Sequence, residues 1–160
     1  MDRLVPDQID RSFIEVLSQK AEAAQRKTER TRFRLQASLA GHIMDGTNRS
    51  DLKVAEITEK AGLAHGTFYR YFDDIRVATD ILIADFAEFV RNTLSTPRQG
   101  EAGSRERTQA VTAIYAEVFG ANALLMKCLF DAGREAGTSS DTYQWLNRSW
   151  YERIAASIAR

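Results

Sequence analysis

The side chains able to do chemistry are few. Two histidines and one cysteine are all the chain offers in imidazole or thiol groups. Neither His42 nor His65 has a partner at metal-ligand spacing. No phosphate-binding glycine loop, nucleophile elbow or paired-carboxylate arrangement occurs. The expectation is therefore a protein that is not an enzyme, with no metal and no cofactor. What remains is hydrogen bonding and charge, concentrated in "AEITEKAGLAHGTFYRYF" (Ala55 to Phe72). If Phe68 and Phe72, four apart, turn inward, then Gly66, Thr67, Tyr69 and Arg70 turn outward or sideways. A bare glycine, a hydroxyl, a phenol and a guanidinium suit a nucleic-acid duplex. The small residue permits close approach, and the others reach phosphates and base edges. Spacing alone leaves a second reading equally open, in which two short core helices simply turn a polar face to water.

The elements that must position these groups are helical. Two prolines (Pro6, Pro97) and no sustained period-two alternation predict an all-α fold. Residues 7–28 carry Ile9, Phe13, Val16, Leu17 and Lys20 on one face, then "AEAAQRKTER", which holds no breaker. That helix is expected to run straight into a second over 29–45, with Leu35, Leu39, His42 and Ile43 inside. The turn cluster "DGTNRSD" ends it. Val54, Ile57 and Ala61 then line a short helix, Gly62 takes the positive φ of a C-terminal stop, and Leu63 plugs the corner. Asp73 is the expected N-cap of a long helix with Ile75, Ala78, Leu82, Phe86 and Phe89 on one face. "STPRQGEAGS" (Ser95 to Ser104) is the strongest linker. Helices follow over about 105–119, about 121–135, and from 141 to the end. Val111, Ile114, Tyr115, Val118, Leu125, Leu129, Trp145, Leu146 and Ile154 are their expected core.

A hydrophobic share of 44% and a charged share of 28% are those of a folded globular chain. Lys plus Arg and Asp plus Glu balance at 22 each, so whole-chain charge points to no partner. From Arg26 to Arg70, however, nine basic residues face five acidic ones. Cys128 lies in the apolar run "ALLMKCLF" and reads as a buried thiol of no special chemistry. A lone cysteine suits a reducing cytoplasm, and neither a signal region nor a membrane span is present.

"LKVAEITEKAGLAHGTFYRYF" (Leu52 to Phe72) resembles the DNA-binding domain of the TetR family of bacterial transcriptional regulators. That pattern has Ile-Ala mid-helix, an Ala-Gly-Val turn, then Ser-x-Gly-Thr-Leu-Tyr-x-His/Tyr-Phe. Here Ile57, Ala61-Gly62-Leu63, Gly66-Thr67-Phe68-Tyr69 and Tyr71-Phe72 fill it. The likeness covers roughly residues 30–75. It implies an N-terminal helical extension (1–28), a three-helix helix-turn-helix DNA-binding domain (29–74), and a helical ligand-binding and dimerisation domain (75–160). By the family's usual length, the last would be incomplete at its C-terminus, and the extension would then supply another dimer contact.

The resemblance makes Ala64 to Phe72 the recognition helix of a repressor that binds a palindromic operator as a homodimer. It sets His65 near a phosphate and Gly66 and Thr67 against bases and backbone. Tyr69 donates its hydroxyl to a phosphate, and Tyr71 either does the same or packs against the first motif helix. Lys53 is placed for a phosphate or base edge. Arg30, Arg32 and Arg34 flank the duplex from the preceding helix. One departure stands out: Asp73-Asp74 occupy the place where the family commonly grips a phosphate with a lysine, leaving Arg76 as the substitute. A small-molecule effector would bind among Phe86, Phe89, Tyr115, Phe119, Met126, Trp145 and Trp150. No charged anchor stands in those stripes, which implies an apolar or aromatic ligand. The rival reading is a helical protein–protein interaction module that keeps this fold without binding DNA.

Overall fold

The computed structural model describes residues 11–95, 104–132, 141–148 and 152, and all the regular structure among them is helical. The elements are α1 (Phe13–Ala23), α2 (Lys27–Met44), a 3₁₀ turn (Arg49–Asp51), α3 (Val54–Lys60), a 3₁₀ helix (His65–Arg70), α4 (Ile75–Ser95), α5 (Arg105–Ala121) and α6 (Ala123–Ala132). Residues 141–148 are also helical. No single helix among the described residues is long and apolar enough to cross a membrane.

α2 is the centre of the molecule, in contact with α1, α3, α4 and α6. Leu35, Leu39 and Ile43 recur at four-residue steps and are at most 2% exposed. Two buried polar side chains on α2 find partners on neighbours. Ser38 Oγ donates to the Ile57 carbonyl (2.7 Å), and Gln36 Nε2 donates to Asp85 Oδ2 on α4 (2.6 Å).

α1 does not run into α2 as its helix formers suggest. The backbone is extended at Ala24 (ψ 120°) and Arg26 (ψ 131°), and α1 turns back to pack along α2. The reason is tertiary. Phe13, Leu17 and Ala21 form an apolar stripe that reaches the α2 core only if the chain reverses, and burying it outweighs propensity. Lys20 is outside that stripe: it is exposed, with Nζ 5.8 Å above the Phe33 ring. Ser12 caps α1 by accepting from the Glu15 N–H. Ile9 lies outside the described residues.

Both α2 and α3 stop on a left-handed glycine. At Gly62 (φ 63°) the glycine N–H bonds to the Glu59 carbonyl and the Leu63 N–H to that of Thr58. Gly46 (φ 93°) repeats the pattern with Ile43 and with Thr47 bonded to His42. Alanine at either position is expected to cost about 1–2 kcal/mol of backbone strain. The two sites differ beyond that. A Cβ at Gly46 meets nothing within 4 Å, whereas one at Gly62 stands 2.9 Å from Arg34 Nη2. Arg34 Nη2 is the far end of a flexible side chain and can move aside, so in urea titrations the two substitutions should cost about the same; a loss at Gly62→Ala larger by more than about 1 kcal/mol would show that Arg34 is held in place.

α4 is capped by Asp74, not Asp73: Asp74 Oδ1 accepts from the Val77 N–H (2.7 Å). The carboxylate one residue on sits opposite the third N–H of the helix, where a cap works. Ala78, Leu82, Ile83, Phe86, Ala87 and Val90 are fully buried, so α4 has core on two adjoining faces. Arg49 Nη2 ties the 3₁₀ turn to Asp80 of α4 (3.0 Å).

α5 and α6 meet at Asn122 (φ −131°, ψ 31°), where the chain bends by 89°. The Asn122 side chain is 1% exposed and fully used. Its Oδ1 accepts from the Phe13 N–H (2.9 Å), and its Nδ2 donates to the carbonyls of Arg11 (2.7 Å) and Val118 (2.8 Å). The start of α1 is thereby pinned to the α5–α6 corner, with Arg11 Nε and Glu117 adding an ion pair at 2.6 Å. Val118, Leu125, Leu129 and Leu146 are buried as expected, while Val111, Ile114 and Tyr115 are half-buried. Trp145 corrects the expected core: it is 43% exposed and lies under the Arg91 guanidinium (5.0 Å). The linker expected after α4 falls mostly outside the described residues, as does Ile154.

Candidate nucleic-acid interface

The segment after α3 is held from beneath by apolar side chains. Ile57 is fully buried, Ala61 is 7% exposed, Phe68 1% and Phe72 3%. Phe68 and Phe72 meet at 5.4 Å between ring centroids. The segment is a 3₁₀ helix of six residues, shorter and tighter than the expected helix from Ala64 to Phe72. Its bonds include Thr67 N–H to the Ala64 carbonyl (2.8 Å) and Tyr71 N–H to that of Phe68 (3.0 Å). Glycine, a β-branched residue and aromatics in "GTFYRY" are poor α-formers, and the tighter turn suits a short piece.

What this scaffold turns outward is specific. His65, Gly66, Tyr69 and Arg70 are exposed and Thr67 is half-buried. The Tyr69 ring stands edge-on to His65 (5.9 Å) and Phe68 (5.5 Å), so a 55% exposed phenol is held rather than loose. Gly66 has no backbone reason to be glycine, since its φ is not positive. It has no packing reason either, since a Cβ there meets nothing within 4 Å. Glycine inside a helical segment loses about 0.5–1 kcal/mol against alanine, and alanine would fit here. Tyr71 is half-buried against the core, which favours its packing role.

The arginines of α2 divide. Arg30 and Arg34, four apart, share a face and line a shallow groove between α1, α2 and α3 together with Lys60. Arg30 Nη2 donates to the Ala24 carbonyl (2.9 Å), and Arg34 lies against the Gly62 corner. Arg32 points to the other side, 3.7 Å from Asp85. Lys53 is exposed and pairs with Glu56 (3.0 Å), while Arg76 is exposed with Asp80 at 3.8 Å. Among the described residues, Arg34 and Arg70 have no hydrogen bond or ion pair. Lys60 is a groove residue that sequence reasoning missed; it ends α3 and pairs with Asp45 at 2.8 Å. That ammonium holds the Asp45 carboxyl below the usual range.

The aromatic residues expected to line an effector pocket are scattered. Phe86 is fully buried, with its ring 5.4 Å from Phe13 and 6.2 Å from Phe89. Tyr115 and Phe119 pack at 5.9 Å on α5, Met126 is buried, and Trp145 is at the surface. Trp150 lies outside the described residues. A cleft of about 460 Å³ instead opens between α1, α2 and α4, and Phe89 alone of the seven lines it. No group of three or more metal-binding side chains stands together among the described residues. Cys128 is half-buried, and burial pushes its thiol above the ordinary value, away from thiolate chemistry.

The chain matches no known family model and no curated protein sequence.

Proposed function

We propose that this protein is a TetR-like transcriptional regulator, a repressor that binds a palindromic operator as a homodimer in the cytoplasm and is released by a small molecule. The observation that carries the reading is the pairing of Gly66 with Tyr69. A glycine that the fold does not need stands beside an exposed but ring-braced phenol, on a segment anchored by buried Phe68 and Phe72. Arg34 and Arg70 add two cations without internal partners among the described residues. Such a face fits a polyanion that approaches closely: backbone atoms near Gly66 against the groove wall, hydroxyls and guanidinia on phosphates and base edges. At the start of α4, Asp74 acts as a cap and Arg76 remains exposed for a phosphate.

Footprinting on the DNA upstream of the protein's own gene tests this directly. Binding should fall steeply with salt as counterion release is lost. Thr67→Ala and Tyr69→Ala should each weaken it by roughly tenfold or more, with stability changed by less than about 0.5 kcal/mol. Full-length protein that protects no site at low salt would overturn the reading and leave the exposed face as a protein contact.

A further inference from the structure

The cleft between α1, α2 and α4 is lined by charges of both signs. Lys20 of α1 and Arg32 of α2 bring positive charge to it, and Asp85 and Glu88 of α4 negative charge. Phe33 and Phe89 add aromatic surface to the same lining. We infer that this cleft binds a zwitterionic amino acid with an apolar or aromatic side chain. Its carboxylate would lie toward Lys20 and Arg32, its ammonium toward Asp85 and Glu88, and its side chain against the two rings.

Four features favour that occupant. The volume, about 460 Å³, falls within the range of small-molecule sites. Lys20 Nζ rests 5.8 Å above the Phe33 ring, with no carboxylate partner among the described residues. Asp85 is fixed in place by Gln36, whose side chain is fully buried and donates at 2.6 Å. Gln36 Oε1 is buried and unpaired, so the Asp85 contact is the hydrogen bond its side chain makes. The ion pairs already present are weak: Arg32 to Asp85 is 3.7 Å with both side chains about half exposed, and Glu88 to Arg91 is 3.5 Å. Exposed pairs of that length hold little energy, so a ligand's own charges can replace them. A singly charged ligand would satisfy one pair of charges and meet its own sign in the other. A zwitterion matches both.

As an effector site the cleft rests on the regulator reading, because its occupant would bridge the helix preceding the motif to α4. As a binding site it does not. Calorimetry on the full chain without DNA separates the two. L-Phenylalanine, L-leucine and L-tryptophan are the probes, with phenylacetate and phenethylamine as their one-charge counterparts. At least one amino acid should bind about tenfold or more tighter than either counterpart. Glu88→Gln should lower amino-acid and phenethylamine affinity while sparing phenylacetate, and Lys20→Met should lower amino-acid and phenylacetate affinity while sparing phenethylamine. Both residues are exposed, so thermal midpoints should hold. No binding by any amino acid, or equal binding of charged and half-charged probes, would overturn the inference. Amino-acid binding by a protein that footprints no DNA would uphold the site and overturn the regulator reading instead.

Discussion

Phe68→Ala is expected to destabilise the protein by about 3–5 kcal/mol and to abolish the DNA binding proposed above. The ring is 1% exposed and touches Phe72 and Tyr69, so its loss opens a cavity directly beneath the outward face. The 3₁₀ helix above it has six residues and no side-chain cap at its start. A piece that short has almost no stability of its own and exists because its one buried side is pinned. Denaturant titration should show the loss in stability, and amide exchange should show residues 65–71 opening first. Tyr69→Ala, one residue along, should keep stability and lose affinity. A Phe68→Ala protein less than about 1 kcal/mol weaker than wild type would mean that the segment is held by something other than this ring.

Asn122→Ala is the second large effect, at about 3 kcal/mol or more. It removes three hydrogen bonds at a site 1% exposed and leaves the Phe13 N–H and the Arg11 carbonyl without their partner. Each buried group so abandoned costs about 1–3 kcal/mol. The damage should be local at first: amides of 13–23 should exchange faster while those of α2 and α4 stay protected. Arg11→Ala makes the contrast, because its ion pair with Glu117 is partly exposed on both sides and should change stability by less than about 1 kcal/mol. Equal protection of α1 in wild type and Asn122→Ala would refute the clamp.

Much of this was legible in the sequence wherever a signal is local. The four-residue steps in α2, the apolar faces of α4 and the stop at Gly62 follow from periodicity and backbone sterics, and each stands where the pattern puts it. What was not legible depends on where distant pieces meet. Nothing in "AEAAQRKTER" marks the reversal at Ala24–Arg26, because burial of Phe13 and Leu17 against α2 and α4 causes it. The charged cleft follows from that reversal, since Lys20 joins Glu88 in lining one cleft only once α1 lies back along α2. For the same reason the apolar stripes suggested an effector without charge, while the cleft offers charge of both signs. Asn122, a lone polar residue between two helices, looks like an ordinary boundary until its partners 109 and 111 residues away are seen. The outward face of the motif was readable as a set of residues. That Gly66 is required by neither backbone nor packing was not, because it depends on the empty space around it.

The Asn122 clamp also imposes an order of events during synthesis. α1 leaves the ribosome first among the described helices, yet the side chain that pins its first turn is made more than a hundred residues later. By then α2, α3 and the 3₁₀ helix have emerged and can dock through contacts close in sequence, which form quickly. α1 can lie against α2 early, but its end stays unlocked until the α5–α6 corner arrives to close a loop that spans most of the chain. A nascent chain halted just after α4 should therefore carry a formed α2–α3–3₁₀ unit and a loosely held first helix.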